Sequence, residues 1–74
     1  MTTVILNPIA RKYSFEEIDA IAHHAGYVVL ELLSVAREHS NPTVAQLQHR
    51  FITFDVTETL ERLRDAGLVS LIPD

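Results

Sequence analysis

The stretch DVTETLERLRDAGLV, residues 55–69, decides the fold of this chain. Asp55 and Glu58 have the spacing of a capping box, which starts a helix. Three apolar residues follow at the steps of four and three that place side chains on one helix face: Val56, Leu60 and Leu63. Gly67 suits the left-handed residue that often ends a helix. The stretch therefore predicts a capped helix with one apolar face.

The outward face of this helix is acidic. It is centred on Glu58, Glu61 and Asp65, while Arg62 and Arg64 only flank it. A helix that enters the major groove of DNA passes between rows of phosphates, which would repel these carboxylates. The charge pattern therefore disfavours DNA as the target of this helix.

Composition bounds the remaining possibilities. The chain has 74 residues, one small domain over residues 1–74, with 47% hydrophobic residues and no cysteine. Its formal net charge is -4, whereas nucleic-acid binders usually present a basic surface. Neither a signal peptide nor an apolar run long enough to cross a bilayer is visible, so we expect a cytoplasmic protein with no membrane contact.

Strands are predicted near both ends of the chain. Residues 2–6, TTVIL, and residues 68–72, LVSLI, are rich in β-branched and apolar side chains. Residues 11–15, RKYSF, admit two interpretations. They could form a second strand that pairs back on the first, or Ser14 and Glu17 could form a capping box that starts a helix. Both could also hold in part, because a strand can end where a cap begins.

A long helical pattern occupies the middle of the chain, with apolar residues at steps of three and four over residues 18–36. One helix over residues 15–39 would be about 37 Å long, more than the ~23–30 Å expected for so small a domain. We therefore expect a break or kink at Gly26. Residues 27–33, YVVLELL, are apolar on nearly every side, which predicts a place in the core or in an interface.

The next helix is expected to start within residues 40–43, SNPT, with Asn41 or Thr43 as its cap and Pro42 in its first turn. Three apolar residues would form its core face: Val44, Leu47 and Phe51. The link to the last helix is FITF, residues 51–54, which is bulky where a DNA-reading helix-turn-helix usually has a small residue.

The order of these elements resembles a winged helix-turn-helix. Its signature lies in VLELL, then PTVAQL, then VTETLERLRDAGLVSL, which together fall within residues 27–72. The resemblance implies an α+β fold, a small winged helix with an N-terminal strand or hairpin and a C-terminal strand. It does not fix a function, because winged helices bind DNA, RNA, proteins and peptides.

More loosely, the chain resembles the winged-helix peptide-recognition modules of ribosomally made natural-product pathways. The matching pieces are VILNP with RKYSF, then AGYVVLELL, then DVTETLERLRDAGLV. This resemblance implies a noncatalytic module that captures a peptide as an added strand on the N-terminal hairpin, against the last helix. The implied contacts are two aromatic residues and four helical ones: Tyr13, Phe15, Thr57, Glu58, Glu61 and Arg62.

No pattern in the chain indicates catalysis, a cofactor or a metal. There is no glycine-rich phosphate loop and no supported nucleophile arrangement. Four histidines lack companions at ligand spacing and are expected to be exposed to solvent: His23, His24, His39 and His49. We therefore do not expect an enzyme.

Two functions follow as expectations. The first is a noncatalytic module that binds a protein or peptide. The alternative is a small transcriptional regulator that binds DNA as a homodimer through the apolar helix from Tyr27 to Ala36. In that dimer, two copies of Arg50 and of the pair Arg11 and Lys12 would partly offset the negative charge.

Overall fold

Helices and a small antiparallel sheet make up the chain. A computed structural model describes residues 1–38 and 40–73. These residues contain two strands, a 3₁₀ helix and four α-helices, in chain order: β1 (Thr3–Leu6), the 3₁₀ helix (Pro8–Lys12), α1 (Phe15–Asp19), α2 (Ala25–Ala36), α3 (Val44–Arg50), α4 (Val56–Asp65) and β2 (Val69–Ile72). The predicted α+β class is confirmed.

Strand β1 is hydrogen-bonded on both sides within a two-stranded sheet. It pairs antiparallel with β2, from Thr3 opposite Ile72 to Leu6 opposite Val69. On its other side, the Val4 N–H donates to the carbonyl of Pro42 at 2.8 Å, next to a bridge between Thr3 and Thr43. The N-terminal strand thereby joins the segment before α3 to the segment after α4.

Of the two interpretations of residues 11–15, the second strand is not observed. Residues 8–12 form a 3₁₀ helix instead, and Ser14 caps α1. The Ser14 side chain accepts from the Glu17 N–H at 3.1 Å, and the Ser14 N–H donates to the Glu17 carboxylate at 2.8 Å. The helical interpretation of this segment therefore holds, and residues 1–38, as described, contain no strand that pairs back on β1.

The long helical pattern is broken, but not at Gly26. Helix α1 ends at Asp19, and α2 begins after His24, whose backbone is left-handed with a φ of 62°. The turn between them is tied by tertiary contacts: the Gly26 N–H donates to the Asp19 carboxylate at 3.2 Å, and the Thr59 hydroxyl donates to the His23 carbonyl at 3.2 Å. These contacts place the break several residues before the glycine, which lies inside α2.

Helix α3 starts at a capping box of Thr43 and Gln46, so Thr43 is the cap and Pro42 precedes the helix. Asp55 caps α4, but by accepting from the Thr57 N–H at 3.0 Å. The predicted reciprocal contact of Glu58 is replaced by an ion pair with Arg62, described below.

The C-terminal end of α4 follows the prediction closely. Gly67 has a φ of +85°, and its N–H donates to the Arg64 carbonyl, while the Leu68 N–H donates to the Leu63 carbonyl. These two bonds form a Schellman motif, which turns the chain directly into β2.

One apolar core joins α1, α2, α3, α4 and the sheet. Val56, Leu60 and Leu63 are fully buried, as the periodicity of α4 predicts. The other buried apolar residues come from every remaining element and from the turns: Val4, Ala10, Ile18, Ala22, Ala25, Val28, Val29, Leu32, Leu47, Leu68 and Val69. Of the predicted α3 face, Leu47 is buried, and Val44 and Phe51 are half-buried against this core.

Candidate functional site

Large apolar side chains are exposed on one face of the molecule, between the segment that precedes α1 and the outer side of α2. The exposed fractions are 37% for Tyr13, 38% for Phe15, 55% for Tyr27 and 52% for Leu30. The rings of Phe15 and Tyr27 meet edge to face, with centroids 5.2 Å apart. Helix α2 is therefore buried on one side only, and its all-round apolar sequence leaves a second apolar side on the surface.

This face contains a groove of about 420 Å³, which we call the α2 groove. Buried side chains of Ala10, Ile18 and Val29 lie at its base, and Tyr13, Phe15 and Leu30 are exposed along it. The full lining is Ala10, Arg11, Tyr13, Phe15, Ile18, Gly26, Val29, Leu30, Leu33, Ala36 and Arg37. A partly open apolar concavity of this kind is the usual shape of a binding site.

Gly26 determines how deep the groove is beside Phe15. A Cβ atom at position 26 would lie 2.6 Å from the Phe15 Cε2 atom, closer than real Cβ contacts. Only a glycine lets the ring lie against the backbone of α2. The glycine is therefore a packing residue, and the Phe15 ring that it admits forms one wall of the groove.

The charged residues that line the α2 groove are both arginines, and the Asp19 carboxylate lies beside the groove, 3.2 Å from the Gly26 nitrogen. Arg11 and Arg37 are exposed at its rim, and none of its lining residues is acidic. Among the described residues, no carboxylate lies within salt-bridge distance of Arg11, Lys12 or Arg37. The groove therefore combines an apolar base with cations that have no partner in this part of the chain.

The other arginines are paired within the chain. Arg50 of α3 lies 2.7 Å from Glu31 of α2, whose side chain is largely buried. On α4, Arg62 lies 3.5 Å from Glu58, and Arg64 lies 3.4 Å from Asp65. The cations of α4 are thus partly neutralised by its own acids, and its outward face keeps a negative excess.

The predicted contact residues do not form one site. Tyr13 and Phe15 line the α2 groove, whereas Glu58 and Arg62 line a separate depression of about 250 Å³ beside His23 and Phe54. Thr57 and Glu61 are exposed on α4 and line neither. The hairpin to which the peptide was expected to add is not present in the described residues.

A row of rings connects the two depressions. From Phe15 it continues to Tyr27, then to His24 at 6.4 Å, then to Phe54 at 4.6 Å and Phe51 at 5.5 Å between centroids. The left-handed backbone of His24 brings its ring into this row. The sequence gives no sign of the row, because its members come from four separate segments.

The residues missed by sequence reasoning are Leu30, Gly26, Arg11 and Arg37. Leu30 could have been found, because it lies off the core stripe of α2 and makes the helix apolar on nearly every side. Arg11 and Arg37 could not have been found from the sequence, because their place at the rim depends on the 3₁₀ helix and on the residue at which α2 ends.

Three of the four histidines, His23, His24 and His49, lie within the described residues. His23 and His24 lie in the turn before α2, with ring centroids 3.8 Å apart, rather than on one helix as the sequence suggested. Within residues 1–38 and 40–73, no three His, Asp or Glu side chains are placed to hold a metal ion. His49 is exposed, and His39 lies outside the described residues.

No known protein family, curated protein or solved structure matches the chain. In the described part of the chain, no helix combines the length and the apolar character needed to cross a membrane.

Proposed function

We propose that this chain is a noncatalytic winged-helix module that binds a segment of a partner protein in the α2 groove. The single observation that carries the proposal is the groove itself. Three large side chains, Tyr13, Phe15 and Leu30, remain partly exposed around it although the chain has a buried core. Contiguous exposed apolar surface of this kind marks binding sites for proteins or ligands.

The winged-helix assignment rests on element order. Helices α3 and α4 follow each other across a short link, and α4 leads through Gly67 directly into a strand of the sheet. The bulky link is held by Gln48, whose side-chain amide donates to the carbonyls of Phe51 and Phe54 at 2.7 and 2.9 Å. This order supports the resemblance seen in the sequence.

Strand addition is not part of the proposal. The segment that was expected to offer a hairpin edge, residues 11–15, is a 3₁₀ helix followed by a cap. Strand β2 has no second neighbour in the described residues, but it is only four residues long. An edge this short gives a partner few main-chain hydrogen bonds, whereas a helix-in-groove or side-chain contact needs only the groove.

The charge distribution favours a protein partner over DNA. The exposed acids of α4 are Glu58, Glu61 and Asp65, and both arginines of that helix pair with acids. The carboxylates of this helix would be repelled by the phosphates of DNA, which would weaken binding. The DNA-binding regulator remains the alternative that the following experiment separates from ours.

The test is selection from a displayed library of random peptides of about 12 residues, enough for roughly three helical turns. Selected peptides are synthesised and their affinities are measured for wild type, Leu30→Ala and Ile52→Ala. Leu30 lies in the groove, while Ile52 is an equally large and more exposed side chain outside it. We expect Leu30→Ala to weaken binding at least about fivefold, as for a central interface residue, and Ile52→Ala to leave it unchanged.

If no selected peptide depends on Leu30, the proposal fails. Random-sequence duplex DNA is measured alongside by fluorescence anisotropy at low salt. Binding that disappears as salt rises would indicate the DNA-binding regulator instead.

A further inference from the structure

The charged residues at the rim of the α2 groove indicate the chemistry of its ligand. We infer that the groove takes an acidic amphipathic segment of another protein, whose apolar side chains enter the groove and whose carboxylates pair with Arg11 and Arg37. This inference rests on the proposed function and specifies the partner of the same site.

The charges that line the groove favour an acidic ligand. The chain has a net charge of -4, and three of its six cations, Arg50, Arg62 and Arg64, are paired with acids. Two of the other three line the α2 groove, where no lining residue is acidic. In an acidic protein, unpaired arginines concentrated around one apolar groove are complementary to carboxylates.

The length of the groove along α2 favours a helical segment. Its α2 wall is formed by residues three and four apart, from Gly26 to Arg37, so it follows the helix for about 16 Å at 1.5 Å per residue. A partner helix of about three turns matches that length. Arg37, directly after the last residue of α2, stands at one end of this wall. Arginine is suited to this role because its guanidinium can hold a carboxylate through two hydrogen bonds.

A second copy of this chain is the less favourable occupant. In a symmetric dimer through the groove, each copy presents the same surface. Such a contact would place no acidic lining residue opposite Arg11 or Arg37 of either copy. A foreign segment with carboxylates supplies the pairing groups that the groove of a second copy lacks among its lining residues.

The test uses the groove-dependent peptides of the selection described above. We expect them to be enriched in Asp and Glu beside apolar residues. Their affinity should fall about five- to tenfold for Arg11→Glu and for Arg37→Glu, because a favourable pair becomes a repulsive one. Arg64→Glu is the matched control, since it makes the same change of charge on α4, away from the groove. Raising the salt from about 50 to about 500 mM should weaken binding to the wild type.

The outcomes separate the inference from the proposed function. Peptides that depend on Leu30 but are neutral or basic, or that bind both arginine variants as tightly as the Arg64→Glu control, would overturn the inference and leave the proposed function standing. A complete absence of groove-dependent peptides would overturn both. Sedimentation equilibrium is run in parallel, and a dimer that Leu30→Ala dissociates would replace the acidic segment with a second copy.

Discussion

The ring of Phe15 lies against the backbone of Gly26, so closely that a Cβ atom at position 26 would be 2.6 Å from the ring. The contact joins the first residue of α1 to the second residue of α2 across the turn that separates them. It also sets the wall of the α2 groove, because Phe15 continues into the edge-to-face contact with Tyr27. The packing of the two helices and the shape of the candidate site thus depend on one absent side chain.

This relationship predicts that the effect of Gly26→Ala changes sign with the residue at position 15. In the wild-type background, the new methyl group displaces the ring, and we expect a loss of about 1 kcal/mol in the free energy of unfolding, the lower end for overpacking. In a Phe15→Ala background the clash is gone, and the better helix propensity of alanine should stabilise the protein by up to about 1 kcal/mol. Urea unfolding of the four proteins measures both values. Equal effects in the two backgrounds would show that Phe15 does not rest on Gly26.

Features governed by local rules were predictable from the sequence. The apolar face of α4, the caps Ser14 and Asp55, and the turn at Gly67 follow from spacing and backbone preference within a few residues. The sequence left Asn41 open beside Thr43 as the cap of α3, and the predicted Glu58 half of the Asp55 capping box does not form. These determinants act over a single turn, and no distant contact overrides them here.

The break between α1 and α2 was not predictable in the same way. The apolar stripe continues through the break without losing phase, so the pattern does not mark it. The break was therefore predicted at Gly26, whereas it lies between Asp19 and Ala25. The turn is instead fixed by the Thr59 hydroxyl, which reaches the His23 carbonyl from α4, 36 positions away in the chain. The candidate groove was hidden for the same reason, because its two sides meet only after this turn has formed.

Gln48 shows how the bulky link between α3 and α4 is held, and it carries the second prediction. Its amide nitrogen donates to the carbonyls of Phe51 and Phe54, and its oxygen accepts from the Val56 N–H at 3.0 Å. In Gln48→Glu, a carboxylate oxygen would face two carbonyls in a half-buried place. We expect a loss of about 2–3 kcal/mol in the free energy of unfolding, because two donors are lost and a charge is left poorly paired.

Gln46→Glu is the matched control for this change on the same helix. Gln46 uses its side-chain oxygen to accept from the Thr43 N–H at 2.9 Å, and glutamate supplies the same acceptor. We expect a change within about 0.5 kcal/mol, as for exposed substitutions in general. If the two variants unfold at the same urea concentration, the link does not depend on the Gln48 amide.

Gly67 supports a prediction about backbone strain alone. Its φ is +85°, and a Cβ atom there would meet nothing within 4 Å. Gly67→Ala should therefore cost about 1 kcal/mol from the left-handed backbone, without any steric clash. Asparagine tolerates this conformation better, so Gly67→Asn should cost less. Thermal and urea unfolding provide the comparison, and an equal loss for both variants would contradict a purely conformational origin.

The capping box of α1 predicts a specific dependence of stability on pH. Hydrogen bonds to the Glu17 carboxylate, first from the Ser14 N–H and then from the Ser14 hydroxyl, hold the pKa of Glu17 below its ordinary value. Because the pKa is lower in the folded state than in the unfolded state, the carboxylate stabilises the fold above its unfolded pKa. This stabilisation is lost as the pH falls through the lower, folded value.

Glu17→Gln isolates this contribution, since glutamine can still accept from the Ser14 N–H but does not titrate. We expect the free energy of unfolding of the wild type to fall more steeply than that of the variant between neutral and acidic pH. The difference between the two proteins should become constant once the pH is below the folded pKa of Glu17. Urea unfolding at several pH values measures this, and an NMR titration of the Glu17 side chain gives its pKa directly. Parallel curves, or an ordinary pKa for Glu17, would mean that the box binds the charged and neutral carboxyl equally.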